Sequence, residues 1–140
     1  MTTQGYETFD HGADIGVRGF GPTREIAFEE AAMAMTSVMT QPEKVASRLT
    51  VNIACDAPDD ELLLVDWLNA LIYEMSTRKI VFGRYRVQIH NHFLTGTAEG
   101  EEIEGERHQP AVEIKGATYT ALAVRETESG GWLAQCVVDV

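Results

Sequence analysis

The stretch Leu62-Leu63-Leu64-Val65-Asp66-Trp67-Leu68-Asn69-Ala70-Leu71-Ile72-Tyr73 is apolar around most of a helical circumference, and Met75 extends the pattern. A helix with one wet face carries a narrower apolar stripe than this. The segment therefore belongs under a sheet or between two layers. Asp66 and Asn69 interrupt it, leaving it well short of the ~20 apolar residues that span a bilayer. No membrane role is indicated. Asp56-Ala57-Pro58-Asp59-Asp60 starts this helix, which is expected to run to about Ser76.

On the N-terminal side, residues 6–9 and 14–20 read as two short strands joined by the turn Asp10-His11-Gly12-Ala13, and Gly19, Gly21 and Pro22 break the second. A first helix follows. Thr23 is its expected N-cap, Glu25 sits in its first turn, and Phe28, Ala31, Ala32, Met35, Val38 and Met39 recur at helical spacing up to about Thr40-Gln41-Pro42. Leu49, Val51, Ile53 and Cys55 alternate with Thr50, Asn52 and Ala54, the period of a half-buried strand. Beyond the apolar helix, strands are expected at 80–82, 85–89, 93–97, 112–117, 119–125 and 132–140, with Ser129-Gly130-Gly131 turning the last hairpin. The acidic stretch 99–106 reads as a mobile hairpin end. Helices early and strands late, without βαβ alternation, give an α+β fold, mostly antiparallel sheet with two packed helices. At 140 residues the chain is one domain, 1–140, large enough to bury a core without help from a metal.

Charge narrows the function. With 11 Lys and Arg against 22 Asp and Glu, the net charge is −11. A polyanion is repelled by such a chain, so direct stable nucleic-acid binding is not expected. A basic protein, a cation or solubility alone accounts for the acidity. Cys55 and Cys136 are too few for a disulfide framework, and Met1 is followed by no charged-then-apolar leader. They read as buried thiols of a cytoplasmic protein.

Most candidate motifs dissolve on inspection. Gly16, Gly19 and Gly21 lack the spacing of a dinucleotide loop, and no Gly-Lys-Ser/Thr follows. His90 and His92 have no partners at zinc spacing. No serine elbow or Cys-His signature is present. Asp10 and His11 suit a turn. Asp14 and Asp139 are harder to explain, because strands disfavour Asp unless something outside the sheet needs it. The final strand, ending Val137-Val138-Asp139-Val140, is apolar on both faces and so is an interior strand. A carboxylate at its end needs a partner. Asp139 and the Val140 α-carboxylate lie within one residue of each other, and Asp14 is placed to add a further oxygen ligand for a hard divalent cation. A neighbouring Lys or Arg would meet the same need.

Several separated segments together resemble the archease family. They are His11-Gly12-Ala13-Asp14-Ile15-Gly16, the Gly21 to Met35 stretch with Ala27-Phe28-Glu29, Leu64-Val65-Asp66-Trp67-Leu68-Asn69, Glu113-Ile114-Lys115-Gly116-Ala117-Thr118-Tyr119, and the closing Val138-Asp139-Val140. Gly12 stands where the family usually has Thr, which would loosen the turn before Asp14, and Gly116 where it usually has Ala. The resemblance implies a non-catalytic protein cofactor of the RtcB-type RNA ligase, which joins RNA ends in tRNA splicing and RNA repair. It would promote guanylylation of the ligase and sustain its turnover. It also implies a divalent site, typically calcium, on Asp14, Asp139 and Val140, with magnesium or manganese as candidates in the ligase complex. Lys115 matches a family lysine tied to the same function, and with His11 is a candidate contact to partner or nucleotide. A chaperone-like modulator of nucleic-acid-processing proteins, or a metal-dependent phosphohydrolase with His11 as its base, are the rival readings.

Overall fold

A computed structural model describes residues 3–108 and 112–140. The chain opens with a hairpin of β1 (Gly5–His11) and β2 (Asp14–Gly21), passes through α1 (Arg24–Met39) and a single 3-10 turn (Pro42–Lys44), and continues as β3 (Leu49–Asp56), α2 (Asp60–Arg78), β4 (Ile80–His90) and β5 (Phe93–Glu102). A one-turn α3 (Gly105–His108) leads to β6 (Gly116–Ala117), β7 (Ala123–Glu126) and β8 (Trp132–Asp139). Every strand pair is antiparallel. They form two sheets. One runs β1-β2-β8-β6, with β7 also paired to β8; the other runs β3-β5-β4.

Both helices touch strands of both sheets and so form a layer between them. The enclosure is fuller for α1 than for α2, which keeps an exposed stripe through Glu61, Asp66, Asn69, Tyr73 and Ser76. No residue of α1 is exposed, and α2 buries Leu63, Leu64, Val65, Trp67, Leu68, Leu71, Ile72 and Met75. The caps follow from side-chain chemistry. Thr23 accepts the Ile26 N–H and Asp59 accepts the Leu62 N–H, each satisfying a donor that the first helical turn leaves open. At the far end of α2, Lys79 takes the left-handed conformation with φ +56° and its N–H bonds to the Met75 carbonyl.

Trp67 joins the layers: its Nε1 donates to the Phe28 carbonyl at 3.2 Å, and its ring lies so near Gly96 of β5 that a Cβ there would meet it at 2.7 Å. Gly19 is a second close approach. A Cβ on it would stand 2.2 Å from the Ala31 nitrogen and 2.3 Å from the Ala27 carbonyl oxygen. Only glycine lets α1 rest on β2 at this distance.

The sequence expectations need several corrections. Residues 80–90 form one strand, because an irregularity in pairing between Phe82 and Arg84 absorbs Gly83 without breaking the ladder. Of the strand expected at 112–117 only Gly116–Ala117 pairs, and 119–125 contributes only Ala123–Glu126, since residues 119–121 form a turn with Ala121 at φ +53°. The acidic stretch is not a mobile hairpin end. Glu99 to Glu102 belong to β5, and Glu101 is buried, accepting the Ala46 N–H at 2.6 Å, pairing with Arg48 at 3.2 Å and contacting His108 Nε2 at 3.0 Å. His108 Nδ1 accepts the Glu104 N–H, which leaves the ring proton on Nε2, facing the Glu101 carboxylate. Cys136 is buried as expected, whereas Cys55 is half-buried.

Candidate metal and partner site

The β2–β8 register pairs Ile15 with Val138, so one further step sets Asp14 opposite Asp139. On the other side of β2, His11 pairs with Asp14; on the other side of β8, Gly116 pairs with Asp139. His11, Asp14, Asp139 and Gly116 thus form one row across the end of the sheet. Side chains directly across an antiparallel ladder share a face. That face is the outer one, since the alternate residues Val17, Ala134, Cys136 and Val138 are in the core. Further along it Arg18 Nε donates to Gln135 Oε1 at 2.7 Å, and the Arg18 guanidinium pairs with Glu7 at 2.8 Å.

Asp14 is half-buried and Asp139 exposed. The Val140 N–H donates to Asp14 Oδ1 at 3.4 Å, and the Val140 side chain packs against the core. Among the described residues, neither Asp14 nor Asp139 forms an ion pair with a Lys, Arg or His. The salt-bridge explanation for these carboxylates is therefore not met. No group of three or more His, Cys, Asp and Glu side chains gathers here or elsewhere among those residues. The side-chain donors number two, with any further oxygen coming from Val140 or from outside the chain.

The turn that delivers Asp14 is Gly12-Ala13. Gly12 has φ +64°, a Cβ placed on it would have no atom within 4 Å, and glycine at the first central place suits a tight hairpin. The glycine therefore forms the turn and does not loosen it. A Cβ at Gly116 would meet Asn69 Oδ1 at 3.6 Å, an ordinary contact, so either small residue fits there.

His11 is exposed at the corner of the row. Lys115 reaches the same sheet end but does not join the two carboxylates. It is exposed, donates its backbone N–H to the Asp139 carbonyl at 2.8 Å, and lines a groove of about 370 Å³ along α2 with Asn69, Tyr73, Thr77, Glu113 and Ile114. In the sequence Asn69 stands as a break in an apolar helix and as the end of the Leu64–Asn69 segment, and neither discloses its bond. In the fold its Oδ1 accepts the Ala117 N–H at 2.9 Å. No local pattern announces that bond, because it joins residues 48 positions apart. An apolar cavity of about 300 Å³, lined by Met39, Met75, Ile80 and Ile103 among others, adjoins this groove toward the far end of α2 and shares Ile72, Ser76, Glu113 and Ile114 with it.

Comparison with known proteins bears on the chain as a whole. Residues 6–140 match the model of the archease protein family (MTH1598/TM1083). "Protein archease" of Pyrococcus furiosus is 35% identical over 139 residues, covering 96% of this chain and 98% of its own. That of Methanosarcina mazei is 38% identical over 147 residues, covering 100% of both. The solution structure of protein 1598 of Methanobacterium thermoautotrophicum superposes with a TM-score of 0.84 at 34% identity, covering 97% of this chain and 99% of that one. The two antiparallel sheets with a helix pair packed against both, and the sequence from the first hairpin to the last strand, make this chain a member of the archease family.

Proposed function

We propose that this protein is a non-catalytic cofactor of an RtcB-type RNA ligase in the cytoplasm, promoting guanylylation and turnover of the ligase, and that Asp14, Asp139 and Val140 hold a divalent cation in doing so. One observation carries the reading: two carboxylates face each other across the ladder with no basic side chain paired to either among the described residues. Like charges directly opposite weaken a sheet modestly, so an arrangement of this kind favours positive charge from outside the chain. The donors fit a hard cation, being oxygens only. Calcium takes six to eight oxygen ligands, more than this chain offers at the site, so the set suits an ion shared with water, a phosphate or a partner. Bound there, a divalent ion would supply charge to stabilise a triphosphate as its phosphoryl group is transferred.

The chain's own contribution is placement. The β2–β8 register carries the two carboxylates to one sheet end, the Val140 N–H restrains the Asp14 oxygen, and Lys115 offers an exposed cation at that end, in the groove along α2, for a phosphate or an acidic side chain of the ligase. His11, at the corner of the row, is a partner contact. The acidic chain complements a ligase surface that must hold RNA.

Single-turnover guanylylation of the cognate ligase, with and without this protein, tests the reading. Faster formation of the guanylylated ligase is expected. An unchanged rate sinks the cofactor role, and phosphoester turnover by the pure protein would replace it with an enzyme.

A further inference from the structure

We infer that Asn69 is a positioning residue for Lys115, acting through the backbone of residues 115–117; the inference rests on the cofactor reading above. The segment that carries Lys115 has little sheet to hold it. β6 is two residues long and pairs only with β8 among the described residues. On that side the Lys115 N–H reaches the Asp139 carbonyl at 2.8 Å and the Thr118 N–H reaches the Val137 carbonyl at 3.0 Å. Between these two, the Ala117 N–H turns away from β8 and is taken by Asn69 Oδ1 at 2.9 Å. The segment is thus pinned on one side to the residue pair that ends β8 and on the other to α2. Asn69 lies on the exposed stripe of α2, whose opposite side, with Leu64, Trp67, Leu68, Leu71 and Met75, is fixed in the core, so its acceptor is held by a rigid element. An Asn at this place contributes nothing to the apolar packing of α2. Its Oδ1 instead sets where Lys115 stands relative to Asp139 and to the groove that both Asn69 and Lys115 line.

A hydrogen bond of this kind predicts a definite pattern among substitutions. Asn69→Leu keeps the size and removes the acceptor; Asn69→Asp keeps an acceptor oxygen in place. Ligase guanylylation should fall on the order of tenfold in Asn69→Leu, the factor that one lost hydrogen bond supports, and recover to within about threefold in Asn69→Asp. The double variant Asn69→Leu/Lys115→Met should be no slower than Lys115→Met alone, because a residue that works through Lys115 has nothing to position once Lys115 is gone. Amide exchange at Ala117 should accelerate in Asn69→Leu and not in Lys115→Met, while calcium affinity by calorimetry stays near wild type in both. Wild-type protein that leaves guanylylation unchanged overturns the cofactor reading and this inference with it. Wild-type stimulation combined with additive losses in the double variant, or with an Asn69→Leu protein as active as wild type, overturns this inference alone.

Discussion

The backbone N–H of Val140 points at the Asp14 carboxylate, 3.4 Å from its Oδ1, tying residue 14 to the end of the final strand across 126 positions of sequence. The contact is long for a hydrogen bond and therefore weak. It orients Asp14 without neutralising it, and Asp139 stands opposite with a second charge.

Asp14→Asn separates charge from geometry. The amide keeps an oxygen for the Val140 N–H but removes one of the two facing charges. In chelator the variant should be as stable as wild type or more stable, by ~0.2–1 kcal/mol, since like-charge opposition is relieved. Added calcium should raise the melting temperature of wild type and leave that of the variant nearly unmoved. Thermal melts with chelator and with calcium decide it; a variant stabilised by calcium as much as wild type removes Asp14 from the site.

How far the sequence could reach is visible in the same two residues. Asp14 and Asp139 stand out because strands disfavour Asp, the final strand is marked by apolar residues on both faces, and the first hairpin by the turn Asp10-His11-Gly12-Ala13. Their meeting across β2 and β8 follows from register, which local pattern does not supply. Thr23 as a helix cap was legible because capping is a contact over three residues. The burial of Glu101 was not, since its partners at 46 and 48 are distant, His108 lies beyond the end of the strand, and an acidic run looks solvated wherever it falls. Asn69 escaped for the same reason, its partner Ala117 lying in a strand too short to carry a period.

Gly19→Ala should be costly. The added methyl would press on α1 backbone atoms at 2.2 and 2.3 Å, which cannot yield as a flexible side chain can. A loss at the upper end of the ~1–3 kcal/mol typical of overpacking is expected from urea midpoints. Gly116→Ala, whose methyl would meet Asn69 Oδ1 at 3.6 Å, is the control and should stay within about 0.5 kcal/mol of wild type. Equal midpoints for Gly19→Ala and wild type would contradict the close approach of β2 and α1.

Alkaline stability should carry the signature of a buried thiol. Burial pushes Cys136 up to about 12, with the thiol's ordinary value near 9, and Cys55 up to about 11. The unfolded chain then releases its thiol protons above pH 9 while the folded chain keeps them, so the folded state holds more protons and loses stability as pH rises. The Cys136 contribution is fully present below pH 9 and declines from there toward 12, by at most about 1.4 kcal/mol per pH unit. Cys136→Ala should lower stability at pH 7 by leaving a small void, and flatten the fall between pH 9 and 10. Urea titrations at pH 7, 9 and 10 measure both effects. A wild-type curve already flat over that window would contradict a protonated, buried Cys136.

The last residue offers the sharpest test of the site. A preparation whose chain ends at Val140 presents an anionic carboxylate next to Asp139, while one extended by a tag presents a neutral peptide carbonyl and puts further chain where a cation and partner would sit. The charge of the site differs by one unit between the two, and hard cations are held largely by ligand charge and oxygen number. The fold should be indifferent, because the Val140 side chain already packs on the core and its N–H already bonds to Asp14 in either form. An N-terminal extension changes none of these groups, although β1 begins as early as Gly5 and a short spacer is advisable there. The C-terminally extended protein should therefore melt like the form ending at Val140, bind calcium more weakly by calorimetry, and stimulate ligase guanylylation poorly. The N-terminally extended form should match the untagged protein in all three. Equal calcium affinity and equal stimulation with both tags would take the Val140 carboxylate out of the site and leave Asp14 and Asp139 to hold the cation with ligands from the partner.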